Sequence, residues 1–503
     1  MPLKRNGLTR RGLLGALAAS VAAPAWALAP ERSPFPAPRL IAAPARALPS
    51  AQSIEALLER ANLGGVTSFV ALDAASGAVI EELNPDASLP PASITKAATA
   101  LYVLSVLGPE ARFETRVLAN GGTVSGGVLA GDLVLQGGGD PTLQTADLAR
   151  LANALVAAGL RRVSGRFLID ETALPWLEQI APDMPPQAGY NPAISGLNLN
   201  FNRVHFLWRP EGGQMQLSLD ARSGSEVPPV SVIGITAGNR TTPVYTYDGR
   251  GGREMWSVAA GALGGGGSRW LPVRRPGIYA GDVLRALLAA RGCTLPPPQA
   301  AQRPARGQVL AAHQSAPLRE MMREMLRFST NITAESAGLA ASRRGNAAID
   351  RLEASAQHMS AWIEHQHGVS GLRFVDHSGL GDRARVSARA MASLMLSAHR
   401  EGMLPPLLRR HMMRDQQYRE LPNHPITVRA KTGTLNFVNA LAGYARPAGS
   451  EREIIFTIIS ANLPRREAIN PDERERPPGA PAWARSARML QQGLIERWSA
   501  LHG

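Results

Sequence analysis

Strand-like segments gather at the two ends of the chain, and this separation constrains the fold more than any other feature. Near the start, Val66–Leu72 and Ala78–Leu83 read as two strands around a turn at 73–77. After Pro90-Pro91 an apolar helix is predicted from Ser93 to Leu107, stopped by Gly108-Pro109. Near the end, Ile426–Lys431, Val438–Ala445 and Ile454–Ser460 read as consecutive antiparallel strands, and Ala482–Leu501 as an amphipathic closing helix. The stretch 115–270 differs: short runs of Gly, Val and Leu with many turn signals, including the flexible GALGGGGS at 261–268. From about Pro276 the pattern turns helical again, with helices expected at 318–327, 347–365 and 388–401. The simplest architecture is α+β, an antiparallel sheet flanked by helices and interrupted by a large β-rich insert. In chain order the first part spans 51–115, the insert 116–299 and the second part 300–503.

The beginning of the chain reads as an address. Lys4, Arg5, Arg10 and Arg11 precede an apolar run at 12–23 that is too short to span a bilayer, and small-residue cleavage sites follow. Residues 1–29 are expected to be a signal peptide of twin-arginine type, and the Pro/Ala-rich stretch 30–50 a linker. Export to the periplasm is the expectation. No later apolar run is long enough for a stable membrane span.

The formal charge of +14 admits an anionic partner, yet no dense Arg run with interleaved aromatics points to nucleic acid. More telling is how the charge is built: of 54 basic residues only Lys4, Lys96 and Lys431 are lysine. Arg stays protonated in a protein, whereas a buried Lys can lose its proton, so a lysine kept against this bias is a candidate for chemistry. The lone cysteine, Cys293, excludes an intramolecular disulfide and a Cys-based metal site. The ten His show no metal-ligand spacing, and G-x-G-x-x-G is absent. No cofactor and no metal are implied.

Both remaining lysines fall inside motifs. Ser93-Ile94-Thr95-Lys96 lies at a predicted helix start, where a spacing of three puts Ser93 and Lys96 on one face. A serine hydroxyl needs a nearby base, and a desolvated lysine amine can be one. Lys431-Thr432-Gly433-Thr434 lies on a predicted strand, where Gly433 lets a substrate backbone approach closely. Lys431 adds positive potential there, and Thr432 and Thr434 offer hydroxyls to a carboxylate or carbonyl. Ser329-Thr330-Asn331 ends a predicted helix; S-x-N recurs at Ser460-Ala461-Asn462, and chain order favours Ser329, which lies between the other two motifs.

In order, S-x-x-K, S-x-N and K-T-G match the set of penicillin-binding proteins and class A β-lactamases. With the long gap between Ser93 and Ser329, the sequence resembles the D-alanyl-D-alanine carboxypeptidase/endopeptidase family S13, of penicillin-binding protein 4 type. Gly138-Gly139-Asp140-Pro141-Thr142-Leu143, Asp376-His377-Ser378-Gly379-Leu380 and Val438–Tyr444 match further. The chain departs where the family usually has Gly at His377 and Ser-Arg at Gly381-Asp382, which leaves Arg383 one place late. The resemblance implies a penicillin-binding/β-lactamase-like transpeptidase domain that cuts D-alanine bonds in peptidoglycan peptides and binds β-lactam antibiotics covalently. It implies that Ser93 is the nucleophile, Lys96 its base, Ser329 a proton relay and Asn331 an orienting amide. The backbone N–H groups of Ser93 and Thr434 are implied as the oxyanion hole, and Lys431, Thr432, Gly433 and Thr434 as the seat of the substrate's terminus. It further implies that Asp183, Tyr190 and Asn436 line the wall that meets a diaminopimelate side chain. A serine β-lactamase and an inactive cell-wall-binding scaffold are the competing readings.

Overall fold

The computed structural model describes residues 50–415 and 417–503. The expected signal peptide, and the linker save its last residue, lie outside them.

Folding starts at helix α1 (Ile54–Ala61), where the Ser53 hydroxyl accepts from Ala56 N and caps the first turn. Strands β1 (Val66–Asp73) and β2 (Val79–Leu83) follow. From the far end of the chain come β3 (Arg410–His411), β4 (Ile426–Leu435), β5 (Val438–Pro447) and β6 (Ile454–Ala461). They form one antiparallel sheet in the order β3-β4-β5-β6-β1-β2. The joint between the chain's ends is β1 against β6, in register from Val66↔Ala461 to Asp73↔Ile454.

Alternation along these strands assigns the two faces. Val70, Leu72, Ala440, Ala442 and Ile459 face one core, with helices α2 (Thr95–Leu107), α3 (Leu318–Phe328), α4 (Asn331–Gly345), α5 (Leu352–His367) and α6 (Ala388–Arg400). Phe69, Ala71, Leu441, Phe456 and Ile458 face a second core against α1 and the closing helix α7 (Ala480–His502). Helices on both faces explain why β5 and β6 read as continuous apolar runs rather than alternating ones.

Between α2 and α3 the chain makes four further sheets. A five-stranded sheet runs in the order 298–300, 167–170, 132–136, 114–120, 308–314. Helices Thr145–Ala157 and Pro276–Ala289 share its core, Leu148 and Leu155 lying in one buried cluster with Leu133 and Leu135. The other three have three strands each. The insert leaves and returns on neighbouring strands, Glu114–Asn120 pairing antiparallel with Gln308–Gln314, and Ser315 N donates to Phe113 O. With its ends already adjacent, so long an insertion adds little loop-closure cost to the sheet that holds it. The insert docks on α4 through an apolar cluster that joins Leu174, Ile180 and Ile194 to Ile332, Leu339 and Leu380.

Candidate active site

Three elements converge where β4 passes the start of α2 and the α3–α4 corner. The expected helix from Ser93 opens as a short 3-10 turn, Ala92–Ile94, ahead of α2. Ala92 stands at φ +48°, a left-handed conformation that costs a non-glycine residue energy and is held here by packing. Thr95 Oγ1 donates to Ala92 O, and Gly379 lies so close below that a Cβ on it would meet the same oxygen. The turn that carries Ser93 is therefore held from beneath.

Lys96 is fully buried one helical turn on, its Nζ 3.1 Å from Ser93 Oγ. Nζ also donates to Asn331 Oδ1 and to Ser378 O, each at 2.7 Å. A carbonyl oxygen can only accept, so two N–H bonds point at these two atoms. The hydroxyl of Ser93 can donate instead, which leaves it facing the lone pair of a neutral amine. Burial pulls the lysine down to about 8, against the opposing pull of Glu335 and Asp376, which favour its charged form.

These two carboxylates were not anticipated from the sequence. Glu335 lies one turn beyond Asn331 on α4; its oxygens accept from His377 N at 2.9 Å and Ser378 N at 2.8 Å. Asp376 accepts from Gly379 N and Gly381 N, both at 2.6 Å. Together they clamp the 376–381 turn so that Ser378 O faces Lys96. Both carboxyls are pushed above their usual range, chiefly by burial. The available signals were the i, i+4 spacing of Asn331 and Glu335 and the family match of the 376–380 segment. His377 replaces the usual glycine of this segment and is accommodated by Gly338, where a Cβ would meet the imidazole ring. The ring stacks on Tyr102, Nε2 bonds Ser355 Oγ at 2.7 Å, and burial keeps it neutral.

Ser329 caps α3 at φ +59°, and that left-handed turn brings its hydroxyl to Lys431, whose Nζ donates to Ser329 Oγ at 2.9 Å and Thr432 O at 2.7 Å. Lys431 is buried too and held well below its usual value, first by burial, then by Lys96 and Arg409. The competing Ser460 lies inside β6, paired with Thr67 Oγ1 at 3.0 Å. Thr432 and Thr434 flank Gly433, and Asn439 Nδ2 donates to Thr434 Oγ1 at 3.3 Å. A Cβ on Gly433 would sit 2.9 Å from Pro91 O and 3.0 Å from Ser93 N. The glycine thus admits β4 against the turn that carries Ser93.

The insert forms one wall. Asn331 Nδ2 donates to Tyr190 O at 2.9 Å, and the Tyr190 ring is exposed. Asp183 O accepts from Arg474 Nη1 at 2.6 Å, and Asn436 Nδ2 donates to Arg474 O at 2.7 Å. Arg466 Nη1 donates to Asn436 O and has the charges of Asp382 and Asp183 as neighbours. Asp183, Tyr190 and Asn436 therefore share a wall whose arginines the sequence reading missed. Arg383 stays on the surface, paired with Glu353 at 3.2 Å.

The sequence matches the D-Ala-D-Ala carboxypeptidase 3 (S13) family over residues 50–477. A D-alanyl-D-alanine carboxypeptidase from an Actinomadura species is 29% identical over 448 residues, covering 81% of this chain and 80% of that one. The carboxypeptidase DacB of Mycolicibacterium smegmatis is 27% identical over 443 residues, covering 82% and 80%. Among solved structures, penicillin binding protein 4 (dacB) from Haemophilus influenzae shares the fold, with a TM-score of 0.71 at 20% identity, covering 89% of this chain and 99% of that one.

Proposed function

Because this chain belongs to the D-Ala-D-Ala carboxypeptidase 3 (S13) family, and so is a serine-type D-Ala-D-Ala carboxypeptidase, we propose that its acyl-enzyme forms on Ser93. One observation carries this reading. A buried lysine with two carbonyl acceptors faces a single hydroxyl, that of Ser93, across 3.1 Å. Ser93 Oγ attacks the carbonyl of the penultimate D-Ala and Lys96 takes its proton. The oxyanion is met by the N–H groups of Ser93 and Thr434, and Asn331 orients the substrate amide. Ser329, bonded to Lys431, relays a proton to the leaving amine. Lys431, Thr432 and Thr434 hold the terminal carboxylate. Water then releases the acyl group.

The same site is proposed to act as a DD-endopeptidase where the leaving amine belongs to a diaminopimelate cross-link. Asp183 would meet the free ammonium end of the diaminopimelate side chain on the acyl-donor peptide, Tyr190 and Asn436 would line its path, and the neighbouring Arg466 suits its carboxylate. β-Lactam antibiotics are proposed to acylate Ser93, and the periplasm is the proposed location, from the leader at 1–29 and a cell-wall substrate. Among the described residues no helix is long and apolar enough to cross a membrane.

The test is labelled penicillin followed by peptide mapping. A lasting adduct is expected on the peptide containing Ser93, and Ser93→Ala should lose both the adduct and peptide cleavage while staying folded. An adduct on Ser329 or Ser460, or rapid turnover of the drug, contradicts the reading.

A further inference from the structure

Lys96 depends on an amide that could stand either way round. Asn331 offers it Oδ1; rotated by half a turn, the same side chain would offer Nδ2, a donor facing a donor. What settles the orientation lies outside the peptidase elements, in the Tyr190 carbonyl of the insert, which takes the Nδ2 proton at 2.9 Å. A reversed amide would set Oδ1 against the Tyr190 oxygen and Nδ2 against Lys96 Nζ, a mismatch at both ends.

The segment that presents this carbonyl is pinned by two buried side chains. Arg274, 3% exposed, sends Nη1 to Glu178 O at 2.9 Å and Asn191 O at 2.8 Å, and Nη2 to Pro186 O at 2.9 Å. Asn191 Oδ1 accepts from Ile180 N and Ala181 N, both at 2.9 Å, and Nδ2 donates to Ala181 O at 2.8 Å. Gly189 closes the gap to the insert's own strand, since a Cβ there would lie 2.8 Å from Trp270 O. Loops placed so firmly are uncommon at a surface, where backbone groups can bond water.

We infer that the Gly189–Asn191 turn of the insert is a positioning element of the catalytic site, its Tyr190 carbonyl aiming the Asn331 amide so that Lys96 keeps an acceptor while it takes the Ser93 proton. The inference rests on the assignment of Ser93 and Lys96 made above. It gives the insert a role in the chemistry itself, independent of any substrate side chain.

Two variants outside the catalytic machinery test it. Gly189→Ala forces the turn away from Trp270 by a few tenths of an ångström and removes no group. Arg274→Met removes the three-carbonyl anchor. The readout is penicillin acylation of Ser93 against pH, with a ligand that lacks the diaminopimelate side chain. Besides Asn331, the charged groups facing Lys96 are Glu335 from α4, Asp376 from the 376–381 turn and Lys431 from β4. Oδ1 of Asn331 favours the ammonium form, so losing it lowers the midpoint of the acidic limb. Both variants should acylate at least tenfold more slowly, with that midpoint moved down by about half a pH unit, while circular dichroism shows a folded protein. A folded variant with the wild-type rate overturns the inference. So does a slower rate with an unmoved limb, the signature of a fold defect alone. Failure of the wild-type protein to carry an adduct on Ser93 would instead strike the functional reading.

Discussion

The strongest quantitative consequence of the site is its pH dependence. Lys96 can take the Ser93 proton only as a neutral amine, and burial brings it to about 8. At pH 8 about half of the enzyme then holds a neutral lysine, and at pH 6 about 1% does, so acylation should fall roughly 50-fold between them. An unburied lysine would be neutral in well under 0.1% of molecules at pH 7. Because Glu335 and Asp376 share the pocket, the midpoint belongs to all three groups together. The assay is the second-order rate of labelling by a fluorescent penicillin from pH 5.5 to 9.5, with folding followed by circular dichroism. The penicillin carboxylate stays ionised throughout, so the limb reports the enzyme. Lys96→Arg should abolish the limb and lower the rate by at least about 10², since a guanidinium cannot accept the proton. A wild-type rate that changes less than about threefold between pH 6 and pH 8 would remove Lys96 as the base.

Gly433→Ala should cut acylation by about 10² or more, because its methyl would sit 3.0 Å from Ser93 N, one of the two donors of the proposed oxyanion hole; near-normal labelling would put the oxyanion elsewhere. Glu335→Gln replaces one acceptor of the His377 and Ser378 N–H groups with a donor. It should cost about 1–3 kcal/mol in thermal unfolding and move the acidic limb to lower pH, as a carboxylate that favours the charged lysine is lost. An unchanged limb would mean that Glu335 only supports the fold. Ser460→Ala leaves Thr67 Oγ1 without its partner and should cost about 1 kcal/mol with labelling intact; lost labelling in a folded variant would reopen the choice between Ser329 and Ser460.

Much of the framework was legible because its signals are local. S-x-x-K spans one helical turn, so the distance in sequence fixes a distance in space, and the avoidance of lysine elsewhere singled out Lys96 and Lys431. The strands β1, β2, β4, β5 and β6 were readable from runs of apolar residues closed by turns. Ser329 could be preferred to Ser460 by chain order alone, and the fold supplies the cause: a left-handed cap turns Ser329 toward Lys431, whereas Ser460 lies inside a fully buried strand. The role expected of Gly433 changed, since what its missing Cβ admits is the turn carrying Ser93 rather than substrate alone. The insert helix Thr145–Ala157 sat in a stretch read for its strands and turns, whereas Pro276–Ala289 begins where the pattern was read as turning helical.

By itself the sequence determined which side chains are available for chemistry and most of the strands and helices around the site, because both depend on residue type and on neighbours a few places away. Only the tertiary structure decided which backbone groups serve the site. The Ser378 carbonyl comes to Lys96 across 282 residues, and the Tyr190 carbonyl to Asn331 across 141. Every residue carries a carbonyl, so no pattern of letters marks the two that matter. Their selection follows from strand register, from a turn clamped by Glu335 and Asp376, and from an insert docked on α4. All of these are settled by packing between segments far apart in the chain.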